Sequence, residues 1–478
     1  MRSRALQPSP GRASNEVTGV PAYILFLFAN AMLFVRPQEV FPALGNLQVY
    51  LPCIVGAFLF SLQDLQNQIR WKTMMQQPVN LCVLGIVVAI FTSRLATGNF
   101  TDLDASLFGM LKVVLYYMVL VSVITTPLRL RYFLMSVAIC STLMISYSVM
   151  DYRAFRDHWT GNPEFYEVLD RERGLDPAER TTLRHIPDRS GIDVYGNEIW
   201  FFRLCGLGIF HDPNDISLLI VATSIISVYF LADPRLAGLR YLWIIPLFVM
   251  AIALFYTYSR GGLLALGVGG MAWLCCKYGS KVAMTIGVMA AMTVPVMLGR
   301  AGQIDISEGT GQQRVQIWAD GLTAIRNSRM LFGIGEGVYP DVAGYVAHNS
   351  FVHAFVELGF FGGTLFFGCF FIPGFTFYLM KRNHFRIENP ELQRMFPYVA
   401  AIFAEWCMGM CSLSRCYVPP TYMICGIAAA FINLVGFYRQ QPRPLLRLTP
   451  RVMQSWLTCS ACLLAGAYVF VRIFARWG

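Results

Sequence analysis

Charge is scarce in this chain. Lys and Arg number 38 and Asp and Glu 28 among 478 residues, while 56% of residues are hydrophobic. A soluble domain of this size cannot cover its surface with so few charges. Alternation is scarce too. The apolar residues run continuously, as in 21–35, 47–62, 107–124 and 242–256, which excludes a transmembrane β-barrel, whose strands alternate lipid-facing and lumen-facing side chains. There is no internal repeat, no low-complexity tract and no visible pair of inverted halves, which weighs against a transporter built from repeats. The polar clusters at 203–215 and 333–339 lack the ligand spacing of a zinc site. The glycine run at 333–337 lacks the lysine and the preceding strand of a P-loop.

The chain is rich in long apolar segments. A membrane-crossing helix needs about 20 mostly apolar residues to span about 30 Å of hydrocarbon. About thirteen segments approach that length: 18–35, 47–62, 79–93, 105–125, 132–150, 214–232, 238–258, 262–276, 282–298, 350–380, 395–413, 417–437 and 453–472. The expected fold is all-α: a polytopic membrane protein with about 12–13 transmembrane helices and two large polar loops. The first 17 residues are polar, with Arg2, Arg4 and Arg12. No removable leader is expected there, only a disordered cytoplasmic tail.

The net charge of +10 needs no nucleic-acid partner. With the N-terminus inside, the alternate turns carry Arg70 and Lys72, Arg129 and Arg131, Arg235 and Arg240, Lys277 and Lys281, Lys381 to Arg394, and Arg439 to Arg451. That is the positive-inside pattern. It places the polar loops at 151–202 and 299–348 together on the non-cytoplasmic side. The 13 cysteines fall mostly in apolar segments, and Cys459 and Cys462 read as buried small residues rather than a redox or metal pair.

The first loop carries Trp159, Tyr166, Tyr195 and Trp200, suited to stacking on sugars or to anchoring at the interface. In the second, Val315, Trp318, Leu322 and Ile325 recur at helical spacing and predict a helix lying on the membrane surface. Arg314 opens that helix, either as a solvated charge or as a phosphate ligand. Arg260 lies between two apolar segments with almost no loop, as an interfacial charge at a tight turn or as the lining of a polar cavity. His348 stands where the second loop enters a long apolar helix. Histidine can take or give a proton at neutral pH, although Asn349 or Ser350 could simply cap the helix beside an interfacial His348. Asn349, His353 and Glu357 are four residues apart and share one helix face. Two further polar clusters lie at junctions: Arg203 with His211, Asp212, Asn214 and Asp215, and the Gly333–Gly337 run.

In order, these pieces resemble the O-antigen ligase/polymerase family. The resemblance rests on Arg203, Gly208, Phe210, Pro213 and Asn214; then Ser259-Arg260-Gly261; then Arg314, Ile317 and Trp318; then Gly333-Ile-Gly-Glu-Gly; then His348-Asn349-Ser350 with Glu357-Leu358-Gly359 and Gly362. His211-Asp212 departs from the pattern. The resemblance implies a metal-independent, inverting membrane glycosyltransferase of GT-C-like layout with no cofactor. It implies a bacterial inner (cytoplasmic) membrane protein with its active site on the periplasmic side. The donor would be a glycan on undecaprenyl pyrophosphate, and the acceptor a glycan or a lipid A-core. His348, Arg260 and Arg314 would be catalytic; Arg203, Asn214, Ser259, Asn349, His353 and Glu357 would bind substrate. The expected layout is a tail at 1–17, helices and first loop at 18–202, the family-like core at 203–380 and C-terminal helices at 381–478. A polysaccharide transporter or flippase, or a non-enzymatic assembly scaffold, are the competing readings.

Overall fold

The computed structural model describes residues 19–41, 49–101, 103–156, 185–192, 198–288, 310–326 and 329–475. The tail at 1–17, most of the first polar loop with Trp159, Tyr166 and Tyr195, and the stretch 289–309 lie outside the described residues.

The described chain is dominantly helical. Its main helices are α1 (Val20–Val35), α2 (Tyr50–Phe60), α3 (Pro78–Thr97), α4 (Leu103–Val123), α5 (Pro127–Arg156), α6 (Pro213–Leu231), α7 (Ile244–Thr257), α8 (Arg260–Tyr278), α9 (Thr310–Ala324), α10 (Ser350–Arg382), α11 (Pro390–Met410), α12 (Pro419–Phe437) and α13 (Pro450–Phe474). Among the described residues, 10 spans are long and apolar enough to cross a membrane. This is a multi-pass membrane architecture, in which helices satisfy every backbone polar group internally. Two expected segments do not reach that length or composition, and a third, 282–298, is described only as far as residue 288. Helix α2 has 11 residues, because the chain turns polar at Gln63, Asp64 and Gln66. The segment at 282–298 is helical as far as it is described. Helix α11 is long but carries Glu391, Arg394 and Glu405.

Caps followed by proline set many of the helix starts. Asp212, Asn389 and Thr449 accept backbone N–H bonds in the first turns of α6, α11 and α13, each with proline next. This pairing suits the unsatisfied amides and fixed φ of a helix N-terminus. One departure from the all-α expectation lies in the first polar loop. There β1 (His185–Ile192) and β2 (Glu198–Leu204) form a two-stranded antiparallel ribbon, with an irregularity between Arg189 and Gly191. The Ile-Trp-Phe-Phe run of β2 is rich in strand-favouring residues, and a ribbon is tolerable outside lipid, where water can satisfy its edges.

The chain divides into two compact units that interleave along the sequence: one holds 57–130 and 270–478 with the first residues, the other 24–56 and 131–269. In the first unit, α3 packs along α10, α4 along α12, and α9 against α10 and α13. Its core is aromatic: Phe377 meets Phe403 at 5.7 Å and Phe431 at 6.1 Å between centroids. Inside it the Tyr117 hydroxyl donates to Asn80 Oδ1 at 2.8 Å. In the second unit, α6 packs along α7, and β2 also touches α7.

Candidate functional site

In the second unit, a single asparagine gathers the first polar cluster. Asp212 caps α6, with Pro213 at its first position, and this leaves the Asn214 side chain free of capping duty. Asn214 Oδ1 accepts from Arg203 Nη2 at 2.9 Å and from Ser259 Oγ at 2.9 Å. Arg203 Nε donates to the Thr257 carbonyl at 2.9 Å, near the end of α7. There Tyr258 takes a left-handed conformation, with φ 47. Ser259 Oγ then accepts from Gly262 N at 3.0 Å and starts α8. Arg203, Asn214 and Ser259, which stand in two separate motifs of the sequence, therefore meet. The sharp turn throws the Arg260 side chain outward, where it is exposed. His211 and Asp212 have local duties: His211 Nδ1 donates to the Gly208 carbonyl at 2.8 Å, and Asp212 caps α6. Glu39, paired with Arg36, accepts from Gly208 N at 3.1 Å, and Phe34 stacks on Phe210 at 5.7 Å.

In the first unit, α10 is broken at Gly359, which adopts φ 67 and ψ −168. The break frees the carbonyls of Val356 and Glu357. The Gly333–Gly337 segment runs beside the break as a strap and takes them up: Ile334 N donates to Val356 O and Gly335 N to Glu357 O, each at 3.0 Å. Beyond the break, Phe360 N and Phe361 N donate to Met330 O and Leu331 O at 2.8 and 3.0 Å. The glycine-rich motif and the Glu-Leu-Gly motif are thus one interlocked backbone structure. Irregular backbone at membrane depth is tolerated only where protein or a polar cavity satisfies it. A Cβ on Gly359 would strike the backbone of Leu331 and Gly333, and one on Gly333 that of Glu357. Gly359→Ala is therefore expected to destabilise the protein by about 1–3 kcal/mol from backbone strain alone, with the clash in addition. A melting curve of the purified variant checks this; an unchanged midpoint would contradict the interlock.

Glu357 is the tie of this region. It is fully buried. Its Oε1 accepts from Gly337 N at 3.0 Å and Tyr339 N at 3.3 Å; its Oε2 accepts from the Tyr417 hydroxyl at 2.9 Å and meets His353 Nε2 at 3.0 Å. His353 Nδ1 lies 3.0 Å from Ser414 Oγ. Burial, then the Glu357 charge, pushes the pKa of Tyr417 well up, and the same two causes raise Tyr339. Both phenols keep their protons at neutral pH, so Tyr417 acts as a donor to the carboxylate. His353 and Glu357, expected to bind substrate, spend their polar atoms on protein contacts. In this geometry they hold the strap and the helix together.

His348 precedes α10 in a left-handed conformation, φ 48, and is half-buried. Asn349 Oδ1 accepts from Phe351 N and Val352 N at 3.0 and 3.1 Å, so the capping role expected of Asn349 or Ser350 falls to Asn349. Helix α9 reaches this turn directly: Trp318 Nε1 donates to the Ala347 carbonyl at 2.6 Å, and the Tyr339 hydroxyl donates to Ile317 O at 3.1 Å. Arg314 is one helical turn before Trp318, on the same face. The apolar side of α9, with Val315, Leu322 and Ile325, is buried in a cluster with α10 and α13. It packs on protein, where the sequence suggested the membrane surface.

Sequence reasoning missed two groups here. One is the 411–418 turn: Ser350 Oγ donates to Leu413 O at 2.6 Å and accepts from Arg415 N at 2.8 Å. Its signal was a polar island, Ser412-Leu-Ser-Arg, between two apolar runs. The other is Ser93 and Arg94, at and just past the expected end of a span. Ser93 Oγ donates to Glu357 O at 2.6 Å, and Arg94 meets Glu336 at 3.4 Å.

Comparison with known proteins adds one finding. Residues 245–367 match a family model, O-antigen ligase. The matched stretch contains Ser259, Arg260, Arg314, the strap, His348, Asn349, His353 and Glu357, and stops short of Arg203 and Asn214. The match supports the family expected from the sequence, and with it a membrane glycosyltransferase of the O-antigen ligase/polymerase type. No curated protein matches the chain.

Proposed function

We propose that this protein, whose residues 245–367 match the O-antigen ligase family model, transfers a glycan from undecaprenyl pyrophosphate to an acceptor hydroxyl at the periplasmic face of the bacterial inner membrane. His348 accepts the hydroxyl proton. The oxygen attacks the anomeric carbon from the side opposite the leaving group, the carbon–phosphate oxygen bond breaks, and configuration inverts. The lipid pyrophosphate leaves with the bonding electron pair. Arg260 and Arg314 stabilise that growing charge, and their planar forks suit phosphate oxygens. Arg203, Asn214 and Ser259 hold the backbone turn that presents Arg260. The acceptor is a glycan chain or a lipid A-core. No metal and no cofactor is called for.

One observation supports this reading above the others. The Trp318-to-Ala347 hydrogen bond of 2.6 Å ties the helix bearing Arg314 to the residue before His348. This tie holds the helix carrying Arg314 to the turn carrying His348, which suits a phosphate-binding cation working together with a proton acceptor.

The test is the envelope glycan of a deletion strain, with purified protein and lipid-linked donor as the direct assay. Single-repeat glycan in the strain supports a polymerase, and accumulated lipid-linked polymer supports a ligase. Purified protein that moves lipid-linked glycan across liposomes without changing its size would instead favour the transporter reading and sink this one.

A further inference from the structure

The first segment of α10, from Ser350 to the break at Gly359, is a short rod held at both ends. It is about 13 Å long at helical rise. Its N-terminal end, next to His348, is gripped by the 411–418 turn through Ser350. Its far end is gripped by the strap and by α3. Ser93 in α3 donates to the Glu357 carbonyl at 2.6 Å. The next residue, Arg94, has a side chain only 7% exposed and lies 3.4 Å from Glu336, the residue between the last two strap glycines. Arg94 also donates to Ser106 Oγ at 3.3 Å. The positions a Cβ would take on Gly335 and Gly337 lie 3.6 Å from Arg94 Cδ and 3.5 Å from Arg94 Nη2, so the strap rests along this side chain. An arginine this buried in the last turn of a span is costly unless an acid answers it, and Glu336 lies 3.4 Å away.

We propose that Arg94 and Glu336 form a clamp that positions His348. The pair presses the strap onto the broken end of α10, the strap amides of Gly335 and Gly337 fix Glu357, and the rod carries that constraint to the turn holding His348. Arg94 touches no reacting atom; it is a positioning residue. The inference rests on His348 acting as the base.

The experiment uses the full-length enzyme in lipid nanodiscs. It compares Arg94→Gln, Glu336→Gln, the double variant and Arg94→Lys, with Phe403→Leu as a packing variant away from the clamp. Each glutamine variant should lower kcat by about tenfold or more, the cost of a misplaced catalytic group, with KM for the donor nearly unchanged. The double variant should lose no more than the worse single, because both remove one contact. Arg94→Lys, which keeps the charge, should recover much of the loss. Amide exchange should rise in 333–337 and 350–358. Parental kcat in the glutamine variants, additive losses, or an equal kcat loss in a Phe403→Leu protein of matched melting temperature would each overturn the clamp. If His348→Gln transfers glycan at the parental rate, the base assignment fails separately; unchanged exchange in Arg94→Gln would then overturn the clamp on its own.

Discussion

Replacing His348 with glutamine is expected to slow glycan transfer by about 10² to 10⁴, the usual contribution of a positioned general base, while donor binding persists. An acceptor hydroxyl holds its proton at neutral pH, so attack on the anomeric carbon gains from a group that removes the proton as the bond forms. Histidine does this without leaving a permanent charge beside the membrane. The backbone supports a specific placement. His348 is fixed in the left-handed region at φ 48, Ala347 before it accepts the Trp318 indole N–H, and Asn349 after it caps α10. Glutamine can hydrogen-bond from that position but cannot take up a proton, so it separates orientation from base catalysis. A general base acts only unprotonated, so the parent rate should also show an acid limb, and the glutamine variant should lose it. Single-turnover transfer with a defined lipid-linked donor measures both effects. A glutamine variant as fast as the parent would leave His348 only an orienting role. An alanine variant that no longer binds donor would move it to the pyrophosphate site.

Much of the membrane architecture was legible in the sequence, because continuous apolar runs admit only helices in lipid. The starts of α11 and α13 were read late, at 395 and 453 instead of Pro390 and Pro450, because their cap-and-proline signals lie in polar sequence ahead of the apolar runs. The β ribbon was hidden because its strands are short and one carries proline and glycine. Site residues showed a similar split. His348, Arg260 and Arg314 stood out as charges or bases at apolar boundaries. The meaning of the glycine motif did not, because it depends on contact with a helix break about twenty residues later in the chain. Spacing put His353 and Glu357 on one helix face but could not reveal that the strap, Tyr417 and Ser414 already occupy their polar atoms. Arg94 was overlooked because its span was read as ending one residue earlier, and its partner Glu336 sits in a motif noticed only for its glycines. Pairings across such sequence distances leave no periodic trace.

Arg260→Lys and Arg314→Lys are each expected to cost about 10² to 10³ in kcat, comparable to removing one donor to a developing negative charge, or about 3–4 kcal/mol. The retained charge makes this a demanding test. Lysine supplies a point charge on a flexible stem, whereas arginine presents a planar fork to two oxygens at once. The two positions differ in how they are held. Arg260 follows Ser259, whose hydroxyl is tied to Asn214 and to Gly262 N, so its backbone is set by the turn and its side chain extends from an exposed position. Arg314 rides one turn from Trp318 on a helix whose apolar face is buried. Lysine at either site preserves those backbones, so loss of rate reports on the guanidinium itself. Arg386, an exposed residue with no proposed role, is the control, and its lysine variant should match the parent. Because the fork is needed most as the pyrophosphate departs, kcat should fall more than donor affinity. Alanine at the same positions should lower both. Two lysine variants with near-parental turnover would reduce Arg260 and Arg314 to interfacial charges and leave the leaving group without a stabilising partner, and the transferase mechanism proposed for His348 would then have to be rebuilt around other cations.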